Sequence, residues 1–425
     1  MKPVFAMLRR MGHQASTYID DSFLTGSSYE DCVTNVVDTT KLIDKLGFVA
    51  HPEKSAFIPT QELVFLNFVL NSVTMQVRLT NEKETKLMNA CQELLIKPQS
   101  TIRQVASVIG LLVSSFPGVA LGPLYYRMLE ADKIAALLSH KGDFDKPMSL
   151  SLPPREELKW WINNVHTASN PIQRAEPTVT LKTDASKLGW GGIVEEHSTG
   201  GLWSVGEAAK HINYLEMLPV FLCLKSFRDL LCGKHVMVKV DNTTAECVIR
   251  QMGTSHGSNL NTLAKTIWQW CTEHNIWITM GHIPGQDNVK ADKESRVFNL
   301  NMEWCLSNSI FKLGCQKLAF APNIDLFASR INHQLKPYVS YRPDPEAIAV
   351  NAFHISWTQY SFYAFPPFSV IMHVLRKIQE DQATRVMVIP SWFYCQETNT
   401  HYFHPVIQKK SILCTKNFAS CHLSG

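Results

Sequence analysis

The chain has 425 residues, 45% of them hydrophobic and 18% charged, with 20 Gly and 21 Pro. That composition excludes a disordered or fibrous protein and leaves room for roughly two to four domains. The net charge of +4, with 16 His besides, permits a polyanionic partner without requiring one.

The 11 Cys are scattered and form no C-x-x-C pair. This excludes a zinc ribbon or thioredoxin-type motif and reads as reduced thiols in an intracellular protein of cytoplasm or nucleus. Met1 to Gln14 is basic but has no long apolar core, so it is not a secretory signal. The most apolar stretch, Val108 to Tyr126, is interrupted by Ser114, Ser115, Pro117, Gly118, Gly122 and Pro123. A membrane-spanning helix needs about 20 uninterrupted apolar residues, so this stretch is expected to be buried helix and turn, and no membrane partner is expected.

Four blocks follow in chain order. In the first, Met1 to about Val77, the spacing of Val33, Val36, Val37, Leu42 and Ile43 predicts a helix over Tyr29–Leu46, stopped by Gly47. The short apolar run Phe65–Leu70 predicts a strand. Tyr18-Ile19-Asp20-Asp21 lies between hydrophobic runs, the pattern of a hairpin with acids at its tip. The second block, Thr80 to about Val165, is helical. Thr80 with Glu82 and Glu84 gives a capped, acidic start. Thr101 opens a helix with Ile102, Val105, Ile109 and Leu112 on one face, and Pro153-Pro154 opens another that is rich in Trp.

After a linker at Pro171–Pro177 the third block predicts strands at Thr178–Thr183, Gly189–Glu195 and Gly201–Val205, then a helix at Ile212–Leu231. A strand at His235–Val240, two helices within Thr244–His274, a strand at Ile276–His282 and a short helix at Asn288–Arg296 complete it. That order predicts a mixed sheet with helices packed on it. The fourth block begins near Pro322 and is rich in Asn, Pro and aromatics. His401–Gly425 has no clear periodicity and is expected to be poorly ordered.

The chemistry concentrates in the third block. Asp184 ends its first strand, Glu216 lies in the first turns of its long helix, Asp241 ends its fourth strand and Asp292 lies in its last helix. A lone Asp at a strand end is more often a turn or cap residue, so it is the set that carries meaning. Four carboxylates converging on one sheet edge repel and raise one another's pKa. Mg²⁺ removes that penalty and takes hard oxygen ligands. Two such ions about 4 Å apart can activate a water and stabilise the leaving oxygen in phosphodiester cleavage.

The strings T-D-A-S (Thr183–Ser186), Y-L-E-M (Tyr214–Met217), V-D-N (Val240–Asn242) and N-V-K-A-D (Asn288–Asp292), in a β-β-β-α-β-α-β-α order, resemble the ribonuclease H domain of retroelements. The resemblance implies cleavage of RNA in RNA–DNA hybrids by two Mg²⁺ ions, with Mn²⁺ as the alternative. Asp184, Glu216, Asp241 and Asp292 would be the catalytic, metal-holding residues. Glu216 would reach toward the scissile phosphate, and Asp292 would be the outermost and most exchangeable ligand. Such domains grip the duplex through backbone and 2′-OH contacts. Ser186 and Asn242 are candidate hybrid contacts, and each is equally plausible as a turn residue. Many ribonucleases H place a His in the loop before the last helix. Here Pro284–Asp287 has none, and His282 reads as a packed structural residue.

Tyr18-Ile19-Asp20-Asp21 resembles the Y-x-D-D hairpin of reverse transcriptases. Phe65-Leu66-Asn67-Phe68 is similar to that family's F-L-G-F turn, with Asn67 in the Gly position, where a left-handed backbone is tolerated. Lys54 matches the Lys that approaches the incoming triphosphate. Residues 1–19 contain no Asp or Glu, so the family's upstream Asp is missing and the palm is expected to be inactive alone. Thr101-Ile102-Arg103, Ile109-Gly110-Leu111-Leu112 and Gly122-Pro123-Leu124-Tyr125-Tyr126 resemble DIRS-type retrotransposons. Tyr125, Tyr126, Trp160 and Trp161 are expected to pack in the core rather than stack on nucleic acid.

In the fourth block Ile324-Asp325-Leu326-Phe327-Ala328-Ser329, Asn332, Tyr338, Trp357 and Phe365-Pro366-Pro367-Phe368 resemble phage-type adenine-N6 methyltransferases. Those enzymes accept from the adenine amino group at the first position of the P-P motif and stack an aromatic on the flipped base. Phe365 offers no acceptor, so a remnant or nucleic-acid-binding module is expected, with Phe368 placed to stack.

The expected fold class is α/β and multidomain: a truncated reverse-transcriptase palm (1–78), a helical thumb and connection (79–170), a ribonuclease H mixed sheet with flanking helices (177–300), a small α/β methyltransferase-like domain (320–400) and a tail (401–425). The expected partner is nucleic acid, specifically an RNA–DNA hybrid, with the oligomeric state left open. Two other functions stand beside hybrid cleavage: a catalytically dead remnant that only binds nucleic acid, and an RNA-directed DNA polymerase if an upstream palm segment is supplied.

Overall fold

A computed structural model describes residues 2–298, 304–382, 384–390, 412–415 and 421–423. The described residues form a mixed α/β architecture of 14 α-helices and several separate sheets. The chain divides into two compact units, Met1–Arg174 and Ala175–Gly425. Among the described residues no helix is long and apolar enough to cross a membrane. The eight Cys from Cys32 to Cys315 are free thiols.

In the first unit, α1 (Lys2–Arg10) buries Val4, Phe5 and Leu8 against the hairpin β1 (Gln14–Tyr18)–β2 (Asp21–Thr25) and against α2 (Tyr29–Lys45). The buried Asn35 of α2 donates to the carbonyls of Gln14 and Thr25, each at 2.9 Å, and so ties the helix to the base of the hairpin. Ile19, at φ 56°, and Asp20 make the two-residue turn, since Tyr18 pairs with Asp21.

Strands β3 (Glu62–Phe65), β4 (Phe68–Asn71) and β5 (Gln76–Leu79) form a second meander. The run Phe65–Leu70 is therefore not one strand but the corner of a hairpin. Leu66 and Asn67 turn it with φ of 51° and 64°. A continuous apolar run cannot register a chain reversal, whereas an Asn that accepts the left-handed region can.

Helices α3 (Asn81–Ile96), α4 (Ile102–Ser115), α5 (Arg127–Ser139) and α6 (Leu152–Asn164) complete this unit. The small pair β6 (Ser100–Thr101)–β7 (Pro147–Met148) joins α4 to the segment before α6, and β8 (Asn170–Pro171) adds to the edge of β5. Helix α5 escapes the sequence pattern because Leu129 is its only fully buried residue. Tyr125 and Tyr126 are buried, and Trp161 is fully buried and donates its indole N–H to the Tyr125 carbonyl at 2.8 Å. Trp160 stacks on Tyr125 at 3.9 Å between ring centroids.

At the head of α4, Thr101 accepts from the Gln104 N–H at 3.2 Å while the Gln104 side chain accepts from the Thr101 N–H at 3.0 Å. Truncating the Thr101 side chain leaves the Gln104 N–H without its acceptor. Thr101→Ala is expected to lower stability by about 1 kcal/mol in denaturant titration.

The second unit opens on β9 (Val179–Ala185), β10 (Gly189–Val194) and β11 (His197–Leu202). The third strand lies earlier than the expected 201–205. Glu195, at φ 54°, and Glu196 make a two-residue turn that brings Val194 opposite His197. Helices α7 (Val205–Ala208), α8 (Ile212–Ser226) and α9 (Arg228–Leu231) follow, so the single helix expected over 212–231 is interrupted at Phe227. Next come β12 (His235–Val240), α10 (Thr243–Arg250), α11 (Ser258–Glu273), β13 (Trp277–His282) and α12 (Val289–Arg296). The sheet order is β11-β10-β9-β12-β13. The first three strands are antiparallel, while β12 runs parallel to both β9 and β13. Leu181, Val236, Val238, Leu224, Ala264 and Ile267 are fully buried in the layer between sheet and helices.

Further along lie β14 (Trp304–Leu306), α13 (Asn308–Lys317), β15 (Ile324–Asp325), β16 (Val339–Ser340), β17 (Ala349–Val350), β18 (Ser361–Ala364), α14 (Ile371–Asp381) and β19 (Thr384–Pro390). Leu306 and Phe311 pack on Tyr363, Val386 and Val388, so this module begins before residue 320. Its main sheet is wholly parallel, in the order β15-β18-β19-β20, with β20 at Ile412–Thr415. A further strand, β21 (Cys421–Leu423), pairs with β14. Apart from these two strands, the expected tail 401–425 lies outside the described residues.

Candidate active site

Glycine decides how closely two helices approach the central sheet. Neighbouring residues on a strand face opposite sides. A Cβ on Gly192 would run into the Cys223 sulfur of α8. A Cβ on Gly191 would lie 2.6 Å from the Ser295 nitrogen and 2.7 Å from the Ala291 oxygen of α12, and one on Gly200 would lie 2.7 Å from the Glu294 oxygen. Helix α12 therefore lies directly on the backbone of β10 and β11, on the face opposite α8.

Asp184 is the penultimate residue of β9, sits opposite Gly191, and is 5% exposed. Three buried hydrogen bonds pin α12 beside it. Ser295 Oγ donates to Asp184 Oδ2 at 2.6 Å, Ser186 Oγ donates to the Ser295 carbonyl at 2.5 Å, and Asn288 Nδ2 donates to the Thr183 carbonyl at 2.9 Å. Asp292, one turn before Ser295, accepts from Arg296 Nε at 2.5 Å. Asp241 follows β12, the neighbour of β9, and a Cβ on Gly285 would lie 3.3 Å from its Oδ2. Glu216 comes from the second turn of α8.

Two of the carboxylates are perturbed by burial and by their acidic neighbours. Burial, with repulsion from Asp241 and Asp292 added, pushes Asp184 up to about 6, while the Ser295 hydroxyl opposes the shift. Burial, then repulsion from Asp241 and Asp184, pushes Glu216 up to about 8. As the side chains stand, no group of three or more His, Cys, Asp or Glu among the described residues is gathered tightly enough to hold a metal. Asp184 is hydrogen-bonded to Ser295 and Asp292 to Arg296. The donor set itself fits Mg²⁺ or Mn²⁺, being carboxylate oxygen throughout.

The remaining candidates fall elsewhere or take other work. Ser186 is buried, and its hydroxyl also accepts from the N–H groups of Leu188 and Gly189. It closes a turn and is not placed to touch a hybrid. Asn242 caps α10 by accepting from the Ala245 N–H at 2.9 Å. His282 is exposed rather than packed, with Nε2 3.1 Å from the Asp241 carbonyl oxygen. Asp20, Asp21 and Lys54 are exposed in the first unit, the two acids at the tip of the hairpin. Phe368 is 39% exposed just after β18.

Sequence reasoning missed Ser295, Arg296 and Asn288. A helical wheel drawn from Asp292 places Ser295 and Arg296 at i+3 and i+4 on the same face, and that was the available signal. Asp325, noted in the sequence only within the Ile324–Ser329 string, is 2% exposed at the end of β15 and accepts from the N–H groups of Gln334 at 3.0 Å and Phe327 at 3.4 Å.

Burial raises Asp325 from 3.8 to about 7 against those two bonds. A carboxyl raised on folding binds its proton more tightly in the native state. Its contribution to stability is therefore present below the unfolded value and is lost as pH rises through about 7. The parent chain is expected to lose up to about 4 kcal/mol more stability than Asp325→Asn between pH 4 and pH 8. Parallel denaturant titrations check this, and equal slopes for the two chains would refute it.

No protein-family model matches the chain, and no curated protein matches it. Among solved structures, it is similar to a foamy viral protease-reverse transcriptase in complex with RNA/DNA hybrid, at 16% identity and a TM-score of 0.35, covering 72% of this chain and 41% of that one. The same enzyme in complex with double-stranded DNA matches at 16% identity and a TM-score of 0.35, covering 66% and 57%. Ribonuclease H1 from Halobacterium salinarum NRC-1 matches at 16% identity and a TM-score of 0.24, covering 27% of this chain and 92% of that one. The chain spans about half the length of the foamy viral structures. At these values the likeness carries no argument, and the assignment rests on the residues.

Proposed function

We propose that the second unit hydrolyses the RNA strand of RNA–DNA hybrids with two divalent cations, within a DIRS-type retrotransposon polyprotein. One observation carries this reading: Asp184, Glu216, Asp241 and Asp292 come from four separate elements, and burial and mutual repulsion hold two of them well above the ordinary carboxylate range. Asp184, Glu216, Asp241 and Asp292 would hold the cations, which when bound supply an activated water and neutralise charge on the leaving oxygen. The protein's own contribution is positional. Ser295 orients the Asp184 carboxylate, Arg296 holds Asp292 at the rim, and the glycines of β10 and β11 let α12 carry both within reach of β9. Burial, then repulsion from Asp241 and Asp184, raises the Glu216 carboxyl, a penalty that a bound cation would remove.

The test is direct. The purified chain is given a labelled hybrid, the matching single-stranded RNA and the matching double-stranded DNA, across a Mg²⁺ titration. Cation-dependent cleavage confined to the RNA of the hybrid is expected, and its absence at every concentration would sink the reading. Salt-dependent hybrid binding without cleavage would select a second reading, a remnant that only binds nucleic acid.

The first unit is proposed to be a reverse-transcriptase palm hairpin and thumb, with Asp20, Asp21 and Lys54 the polymerase residues. In the C-terminal module, Phe365-Pro366-Pro367-Phe368 follows β18 at the carboxyl end of a parallel sheet, where α/β folds place ligands. With Phe at the acceptor position, the module is proposed to be methyltransferase-like in fold and to stack on a base through Phe368 without transferring methyl groups.

A further inference from the structure

The C-terminal module is fastened to the nuclease sheet through a short segment, residues 340–346, together with Arg330. Arg330 grips Glu207 with both ends of its guanidinium, at 2.7 and 3.0 Å, and donates to the Leu202 carbonyl at 3.3 Å. Both side chains of that pair are largely buried, at 15% and 20% exposed. Burial pulls Glu207 upward, but the Arg330 hydrogen bonds and charge, with the Ser204 hydroxyl and N–H, outweigh it and hold the carboxyl below its ordinary value. Thr199, fully buried on β11, donates to the Pro343 carbonyl. Arg342 Nη1 lies 2.6 Å from Glu294 Oε2, and Lys225 Nζ lies 3.5 Å from Glu346 Oε1.

The segment is itself held in shape. Asp344 accepts from the Tyr338 hydroxyl at 2.5 Å and from the Arg330 N–H at 2.9 Å, and Ser340 Oγ donates to the Arg342 carbonyl at 2.5 Å. Its contacts are not spread at random over the sheet. Glu294 lies two residues after Asp292 and one before Ser295, and its other oxygen accepts from Ser198 on β11 at 3.2 Å. Arg342 and Ser198 thus hold Glu294 from opposite sides, while the same turn of helix presents Asp292 and Ser295 to the carboxylates.

We infer that residues 340–346 and Arg330 are a strap by which the C-terminal module seats α12 on the sheet, so that Arg342 is a positioning residue for the nuclease centre. The inference rests on the nuclease reading for its consequence and on geometry alone for the strap. Charge-assisted pairs that are bidentate and half-buried are worth more than exposed ones. The strap is anchored by one such pair, by a backbone acceptor and by a buried hydroxyl. Helix α12 has only two turns and a mostly polar sequence, so it has little stability of its own and depends on what holds it.

The full chain is compared with Arg342→Ala, Arg342→Lys, the double variant Arg330→Ala/Arg342→Ala, and Arg103→Ala. The last removes a cation from an exposed pair in the first unit. Hydrogen exchange of residues 289–296, followed by mass spectrometry without metal or nucleic acid, is expected to quicken about tenfold in the double variant and less in Arg342→Ala. It should be restored toward the parent rate by Lys and unchanged in Arg103→Ala. The Mg²⁺ concentration for half-maximal hybrid cleavage is expected to rise several-fold in the same order. Parent-like exchange of α12 in the double variant would overturn the strap. If that variant loosens throughout, Arg342→Ala decides, and a rate unchanged from the parent counts against the inference. If the parent fails to cleave, the nuclease reading falls while the exchange data still judge the strap.

Discussion

Asp241→Asn is expected to leave the fold intact and to slow cleavage of a labelled RNA–DNA hybrid by at least about a thousandfold. Asn keeps the size and shape of Asp, and Asp241 lies past the end of β12, outside the sheet ladder. Its backbone carbonyl, which faces His282, is unaffected by the change. What is lost is a full negative charge beside Asp184 and Glu216, the two groups it raises. A missing carboxylate ligand weakens the hold on both the attacking and the leaving oxygen. A loss of about 4 kcal/mol in the transition state corresponds to a thousandfold in rate. Single-turnover cleavage at saturating Mg²⁺, with melting curves to show equal folding, checks the prediction. A rate within tenfold of the parent would remove Asp241 from the centre.

The second large effect is expected at a residue with no functional group. Gly191→Ala places a methyl 2.6 Å from the Ser295 nitrogen and 2.7 Å from the Ala291 oxygen, and both are backbone atoms that no rotamer change can move. Overpacking of this kind costs about 1–3 kcal/mol. Relief comes only by lifting α12, which carries Asp292 and Ser295 away from β9. A displacement of about 1 Å at a reacting centre costs on the order of a hundredfold in rate. The variant should therefore melt a few degrees lower and cleave about a hundredfold more slowly. Gly206→Ala is the control, because its added Cβ meets nothing within 4 Å. Equal activity in the two variants would show that the close helix–sheet contact has no bearing on the site.

How far the sequence could be read followed from where each signal lies along the chain. The acids of the third block were legible because each sits in a short string at a predicted strand end or helix start, and local pattern is what a sequence displays. The extent of β11 was not, because Gly200 and Gly201 interrupt the hydrophobic alternation that marks a strand. Gly200 accommodates α12, while Gly201 lies against Trp190, so one of the residues that blur the pattern is one the site requires. Ser295 and Asn288 bond to β9 across more than a hundred residues, and no periodicity reports such a bond. The turn at Asn67 was legible as a turn, yet the apolar run around it still suggested a single strand. Asp325 was legible as part of a motif string, but its burial was not, because a carboxyl held by backbone N–H groups looks in sequence like any loop acid.

The placement of α12 also sets an order in time. The bond from Ser186 to the Ser295 carbonyl joins residues 109 positions apart. On a ribosome adding about 5–20 residues each second, Asp184 emerges on the order of ten seconds before the helix that completes its surroundings. By the end of that interval the nascent chain holds strands β9 to β13 and three of the four acids, with the glycine shelf of β10 and β11 uncovered. The helix must then find a groove already shaped by residues made long before it. The four-acid cluster is therefore complete in the chain about two thirds of the way through synthesis, with Asp292 the last of its acids to be made.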